Sequence, residues 1–371
     1  MRMLDRIRAV ALLPAIAIFL ALVVGGVVII ASSPLIHGFD LTLPLRSYRS
    51  LFLGAFGSFN GLVETLVQAA PLILSGLAVG LGFKAGLFNI GGQGQFLLGA
   101  VAATSAAIAL NGASPMVAVP ISLLAGILGG MAWGFIPGFL KAYTGAHEVV
   151  TTIMLNYVAV YVVAFIVSGP LRGESATFAR TDDIFAAGLP IIIGRNGHAG
   201  ILLALAAIPI AWWLLFRSTI GFEVRTVGAN PEAARYAGMR PRNITILTLS
   251  FCGLMAGLAG AVVVLGTVRY MPASFSSSVG FDGIAVALLG RAHPIGILFA
   301  GLLFGAMKAG AGLMQIDPGI PVQMVSVLQA IILFFLAAEL IVRRVFRIRA
   351  AAAGVSELQT VSRSYGEQAT R

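Results

Sequence analysis

The stretch MVAVPISLLAGILGGMAWGFIPGFL, residues 116–140, holds no ionisable side chain and lies between a turn signal, Asn111-Gly112-Ala113-Ser114-Pro115, and the basic Lys141. An uncharged run of this length matches the roughly 20 residues that an α-helix needs to cross a bilayer. Comparable blocks occupy residues 9–31, 65–83 and 201–216. Several such blocks exclude a single anchor and require a chain that crosses the membrane repeatedly.

Composition agrees with this reading. Hydrophobic residues make up 58% and charged residues 10% of the 371, and the mean hydropathy is +0.97, whereas soluble domains are about 25% charged. The 45 glycines would weaken helices in water, but between membrane helices small residues let backbones approach. A net charge of +10 does not indicate nucleic acid, because the basic residues gather at segment ends without interleaved aromatics, which is the ordinary orientation signal of membrane chains. The single cysteine, Cys252, lies in an apolar run and allows no intramolecular disulfide. Arg2, Arg6 and Arg8 precede the first apolar run as in a signal peptide. That run is too long, and Ala31-Ser32-Ser33-Pro34 is a poor cleavage site, so it reads as an uncleaved first helix.

Placing the basic residues inside gives an all-α polytopic chain of about ten spans, near residues 9–31, 61–83, 95–110, 116–140, 148–168, 199–216, 244–268, 276–290, 294–313 and 320–342. The third and eighth are short and flanked by glycine, so eight or nine spans with re-entrant pieces is the competing count. Most of the 24 Lys and Arg fall on the cytoplasmic side, with Lys308 in a helix interior. The division is then residues 1–60 (first helix and an outside loop), a core over 61–342 with a cytoplasmic loop at 217–243, and a basic, polar tail over 343–371. Both termini are inside. The charges of the polar stretch 170–198 cancel, as an outside loop tolerates. Two loosely repeated halves are also visible, since residues 86–100 and 280–306 each pair a Gly-punctuated short helix with a Gly-Ala-rich one; paired interruptions of this kind point to a transport site.

The segment RTVGANPEAARYAGM, residues 225–239, predicts a short cytoplasmic helix. Asn230 is the N-cap, Pro231 the first helical residue, and Glu232 sits in the first turn where the helix dipole favours a negative charge; Gly238 ends the helix. A capped helix between two spans suits docking into a groove on another protein, the alternative being a helix that lies at the lipid interface. The segment resembles the Glu-Ala-Ala loop through which permeases of ABC importers engage their ATPase subunits, and Glu232, Ala233, Ala234 and Gly238 match it residue by residue. Two further stretches, GLFNIGGQGQFLLGA at 86–100 and EVVTTIMLNY at 148–157, look like those of the branched-chain amino acid, simple sugar and nucleoside permease family, most of all its nucleoside branch. Gly92 departs from the pattern, which has an acidic residue before the Gln-Gly pair.

On the residues alone, Gly86, Gly91, Gly92 and Gly94 break a helix, and broken backbone at membrane depth survives only packed in protein or lining a watery cavity. Asn89, Gln93 and Gln95 offer neutral donors and acceptors and Phe88 a stacking face, which suits an uncharged polar solute; Asn156 lies on a second polar stripe one turn beyond Thr152. The competing readings are a tight turn whose amides cap helix ends and, for Asn156, hydrogen bonding between helices. Catalysis finds no support: the chain has no phosphate-binding loop, and His37, His147, His198 and His293 lack ligand spacing.

The resemblance implies a type II ABC importer-like permease of the bacterial inner membrane. It would bind no metal or cofactor itself, ATP being used by a partner ATPase. A second permease subunit, an extracytoplasmic substrate-binding protein and a small-molecule cargo, a nucleoside first, complete the assembly. Ribose-like sugars or branched-chain amino acids are alternative cargoes. An ion-coupled secondary transporter is a different class, and it would require membrane-buried acidic residues, of which the chain has few.

Overall fold

The computed structural model describes residues 3–32, 40–173, 178–275 and 277–337. The expected tail over 343–371 and the end of the tenth span lie outside them. The described chain is built of helices and a single short hairpin, and it divides into two compact units, one from residues up to 68 and from 302 onward, the other over residues 69–301.

In the first unit, α1 (Met3–Ser32) packs along α13 (Gln323–Ala337), with α2 (Leu43–Phe56), the start of α3 (Phe59–Lys84) and the later part of α12 (Pro294–Ile316). Residues 32–60 were expected to be loop, and α2 corrects that. It buries a stripe of small and polar residues, Ser47, Ser50 and Ala55, while Leu45, Phe52 and Phe56 are exposed. Its buried face is made for close approach: a Cβ at Gly54 would lie 2.9 Å from the Gly310 Cα, and Ser50 Oγ donates to the Asp317 carboxylate. Its charges and Pro44 read as loop because a 14-residue helix is too short to show as a span.

The second unit holds the rest of α3, then α4 (Gly92–Ala109), α5 (Pro115–Thr144), α6 (Glu148–Ser168), the hairpin β1 (Ile191–Ile193) and β2 (Gly197–His198), α7 (Gly200–Arg217), α8 (Thr219–Ala229), α9 (Pro231–Tyr236), α10 (Pro241–Val262), a π-helical turn Val263–Val268, α11 (Val279–Leu289) and the start of α12. Its centre is a layer of glycine-mediated crossings among α4, α5 and α10. Gly126, Gly130, Gly134 and Gly138 recur every four residues along α5; the first three are met by Gly253 and Gly257 of α10 and Gly138 by Ile246, while Gly99 of α4 meets Gly257; a Cβ at Gly130 or at Gly253 would clash with the other's carbonyl. This is how the glycine content does its work: backbones approach where lipid gives no hydrophobic drive for association. Glu148, almost wholly buried at the start of α6, is neutralised by Lys141 Nζ at 2.7 Å.

Six helices of the described residues are long and apolar enough to cross a membrane: α3, α5, α6, α7, α12, and α10 together with its π turn. Residues 16–32, α11 and residues 323–335 are shorter apolar helices. α4 is not among the six, since Gln93 and Gln95 occupy its first turn. Within the polar stretch, residues 179–189 form a hydrogen-bonded strap. Thr181 N and Ile184 N donate to Met271 O and Arg269 O, and Leu189 N to Leu265 O, so residues 181–189 run along the π turn after α10 and the residues that follow it.

Candidate functional site

The α3–α4 break begins with a left-handed residue. Gly86 has φ +68°, and Leu87 N bonds Gly82 O at 2.9 Å while Gly86 N bonds Phe83 O at 3.1 Å, the paired closure of a Schellman turn. The chain then doubles back along α3, and Phe88 stacks on Phe83 with ring centroids 5.2 Å apart.

The four amides singled out from the sequence are brought together here, all of them buried. Asn89 Nδ2 donates to Gln95 Oε1 at 3.0 Å, and Asn89 Oδ1 accepts from Gly91 N at 3.0 Å. Asn156 reaches over from α6: its Oδ1 accepts from Gly94 N at 2.7 Å and its Nδ2 donates to Ile90 O at 3.0 Å. The N-cap of α4, Gly91, has no side chain to satisfy the free N–H groups of the first turn, so Asn89 and Asn156 do it in its place. Gln93 faces the other way, donating to Ser277 O at 2.6 Å and accepting from Gly280 N at 3.1 Å. It thereby clamps the start of α11 to the start of α4, and the two interrupted helices meet at their N-termini, where a Cβ at Gly92 would lie 3.2 Å from Gly280 O. An acidic side chain at 92 would point at that carbonyl. In this conformation the amides are occupied in holding the break together, which is the helix-capping arrangement.

The segment 225–239 forms as its sequence dictates. Asn230 is the N-cap of α9, its Oδ1 accepting from Ala233 N at 3.0 Å, with Pro231 in the first turn. Gly238 at φ +84° closes the helix with Met239 N on Ala234 O at 3.0 Å and Gly238 N on Arg235 O at 3.0 Å. Pro231, Glu232, Ala233 and Arg235 are exposed and Tyr236 is 91% exposed, whereas Ala234 is 0% exposed. Ala234 sits in a cluster with Ala85, Leu87, Val224, Val227, Ile244 and Leu249, with Met239 packed against it. α9 therefore presents one polar face outward and is pinned by a single methyl group.

The loop at 217–243 holds two helices rather than one. α8 went unnoticed in the sequence, although Val224 and Val227 at helical spacing, and Ser218 as an N-cap whose Oγ accepts from Gly221 N at 3.0 Å, are its signals.

Residues 61–337 match the family described as the branched-chain amino acid transport system / permease component. The chain belongs to that family. Among this permease's relatives is the guanosine ABC transporter permease protein of Bacillus subtilis, 39% identical over 90% of this chain and 94% of its own. The nucleoside ABC transporter permease protein of Lactococcus lactis is 35% identical over 89% of this chain and 92% of its own, and the glucose ABC transporter permease protein of Haloferax volcanii is 36% identical over 87% and 86%. No solved structure matches the chain. The permease is a multi-pass membrane subunit of an ABC importer, not an enzyme; ATP is hydrolysed by a separate subunit, and the family works with an ATPase and a substrate-binding partner.

Proposed function

We propose that this permease carries nucleosides inward, guanosine among them, and that α9 is the handle by which its ATPase moves it. The exposed, doubly capped α9 with its buried Ala234 carries the second half of this reading. The first half rests on relatives named for guanosine and for nucleosides. An uncharged solute also fits a bundle whose central polar groups, Asn89, Gln93, Gln95 and Asn156, are neutral amides. With these amides committed to the break, the proposal gives them the wall of the path, and Phe88 its stacking face, exposed to cargo when the two interrupted helices separate.

The assembly we propose contains two permease subunits, an ATPase with two nucleotide sites and an extracytoplasmic binding protein in the bacterial inner membrane, with both termini of this chain cytoplasmic. The permease holds no metal or cofactor of its own. Ten spans follow if α1, α4, α11 and α13 cross beside the six longer helices, and the meeting of α4 and α11 is what two repeated halves would produce. A second reading, sugar import, is favoured by the glucose-named relative.

The test is uptake of labelled guanosine by energised proteoliposomes containing the complete importer, with unlabelled uridine, glucose and leucine as competitors. Uridine competes and glucose and leucine do not if the cargo is a nucleoside; competition by glucose alone would replace this reading with the sugar one.

A further inference from the structure

α8 touches the α3–α4 break through backbone, and α9 joins it through the buried Ala234 side chain. A Cβ at Gly86 would lie 2.9 Å from Gly228 O, and one at Gly228 would lie 2.7 Å from the Ala85 carbonyl carbon and clash with Lys84 O. No side chain intervenes at this point, so α8 cannot shift toward α3 without carrying the turn with it. Around the contact the cluster described above ties three elements together: Ala85 and Leu87 come from the turn, Val224 and Val227 from α8, and Ala234 with Met239 from the closure of α9. Two residues beyond Leu87 begins the amide network, and at its far side Gln93 holds Ser277 and Gly280 at the start of α11. The links are short and of three kinds, close-packed backbone between α8 and the turn, apolar side chains that join α9 to both, and satisfied amides beyond, which transmit displacement because packed interiors have few intermediate arrangements.

We propose that the Gly86–Gly228 contact is the joint that converts movement of α9 into movement of the α3–α4 break and, through Gln93, of α11. Gly228 and Leu87 are then positioning residues of the transport cycle. This rests on α9 being the ATPase handle, and the two ideas fail separately. The handle is tested by Glu232→Arg: the ATPase no longer co-purifies with the permease if α9 is its docking site, and retained co-purification overturns the handle.

The joint is tested in the assembled importer in proteoliposomes by measuring labelled guanosine taken up per ATP hydrolysed. In Gly228→Ala the added methyl must push the turn away. The ATPase stays bound and continues to hydrolyse ATP, and uptake per ATP falls about tenfold, the size of an ordinary coupling between sites. Leu87→Ala adds no bulk and softens the same contact from the other side, so it decides the matter if Gly228→Ala assembles poorly; a fall of about fivefold in the ratio is expected. Gly112→Ala, at an exposed turn where a Cβ meets nothing within 4 Å, keeps the parental ratio. A parental ratio in Leu87→Ala, or uptake and hydrolysis falling in proportion, would overturn the joint and leave this contact a packing feature.

Discussion

Two chain reversals in the larger unit solve one problem with different residues. After α3 the chain turns with Gly86 at φ +68° and closes with Leu87 N on Gly82 O. After α11 it turns with Arg291 and Ala292 at φ 52° and 50°, closed by Ala292 N on Ala287 O at 2.8 Å. A left-handed conformation costs a residue with a Cβ about 1–2 kcal/mol, so the second reversal carries strain that a glycine would remove. The glycine there is Gly290, whose φ of −76° makes no demand but whose missing Cβ lets Ile297 N approach to 2.5 Å of where it would stand. At Gly86 both demands fall on one residue, because Gly228 O fills the space. At Gly145 and Gly238 only the angle is demanded, since a Cβ there would meet nothing. Glycine in this permease thus answers two separable requirements, and of Gly86, Gly145, Gly238 and Gly290 it is Gly86, in the turn that touches α8, that meets both.

That difference is open to measurement. Gly86→Ala meets an unfavourable angle and a backbone neighbour together, and should destabilise the protein by about 2–4 kcal/mol, read as lowered thermal stability of the purified permease in detergent. A change similar to that of Gly238→Ala, which meets only the angle, would mean that the α8 contact yields and the comparison collapses. Gln93→Leu sharpens it from the other end of the break. Removing the amide strands Gly280 N–H and Ser277 C=O, which costs about 2 kcal/mol. Thermal stability should drop accordingly, while protection of Leu87 N–H from hydrogen exchange stays unchanged because its closure onto Gly82 lies on the far side of the network.

Much of this was legible in the sequence. The helices over 116–140, 148–168 and 199–216 stand out because uninterrupted apolar runs leave one solution in lipid, and Asn230-Pro231-Glu232 with Gly238 spells a capped helix by local chemistry alone. What distance in sequence separates was not legible. Nothing near Gln93 reports that its partners are Ser277 and Gly280, and nothing near Gly86 reports Gly228. The amides were recognisable as a polar group at membrane depth, but neutral side chains that would suit a solute suit helix N–H groups equally well, and only their partners distinguish the uses. α2 and α8 were missed for a related reason: short helices with charged flanks have the composition of loops, and their buried stripes, Ser47 and Ser50 in one, Val224 and Val227 in the other, become visible only against a neighbour.

The smallest effect isolates the angle from everything else. Arg291 is exposed, and it occupies the left-handed region with no glycine to excuse it. Replacing it with glycine removes the steric cost of about 1–2 kcal/mol but frees the unfolded chain, which returns roughly 0.5–1 kcal/mol. Arg291→Gly should therefore stabilise the permease by about 0.5 kcal/mol, a rise in melting temperature of a degree or two for a protein of this size. Its uptake per ATP should match the parent, because this reversal touches neither α8 nor α9. If the variant instead melts lower, the Arg291 side chain is supplying an interaction worth more than the strain, and the second turn would have its own reason for refusing glycine.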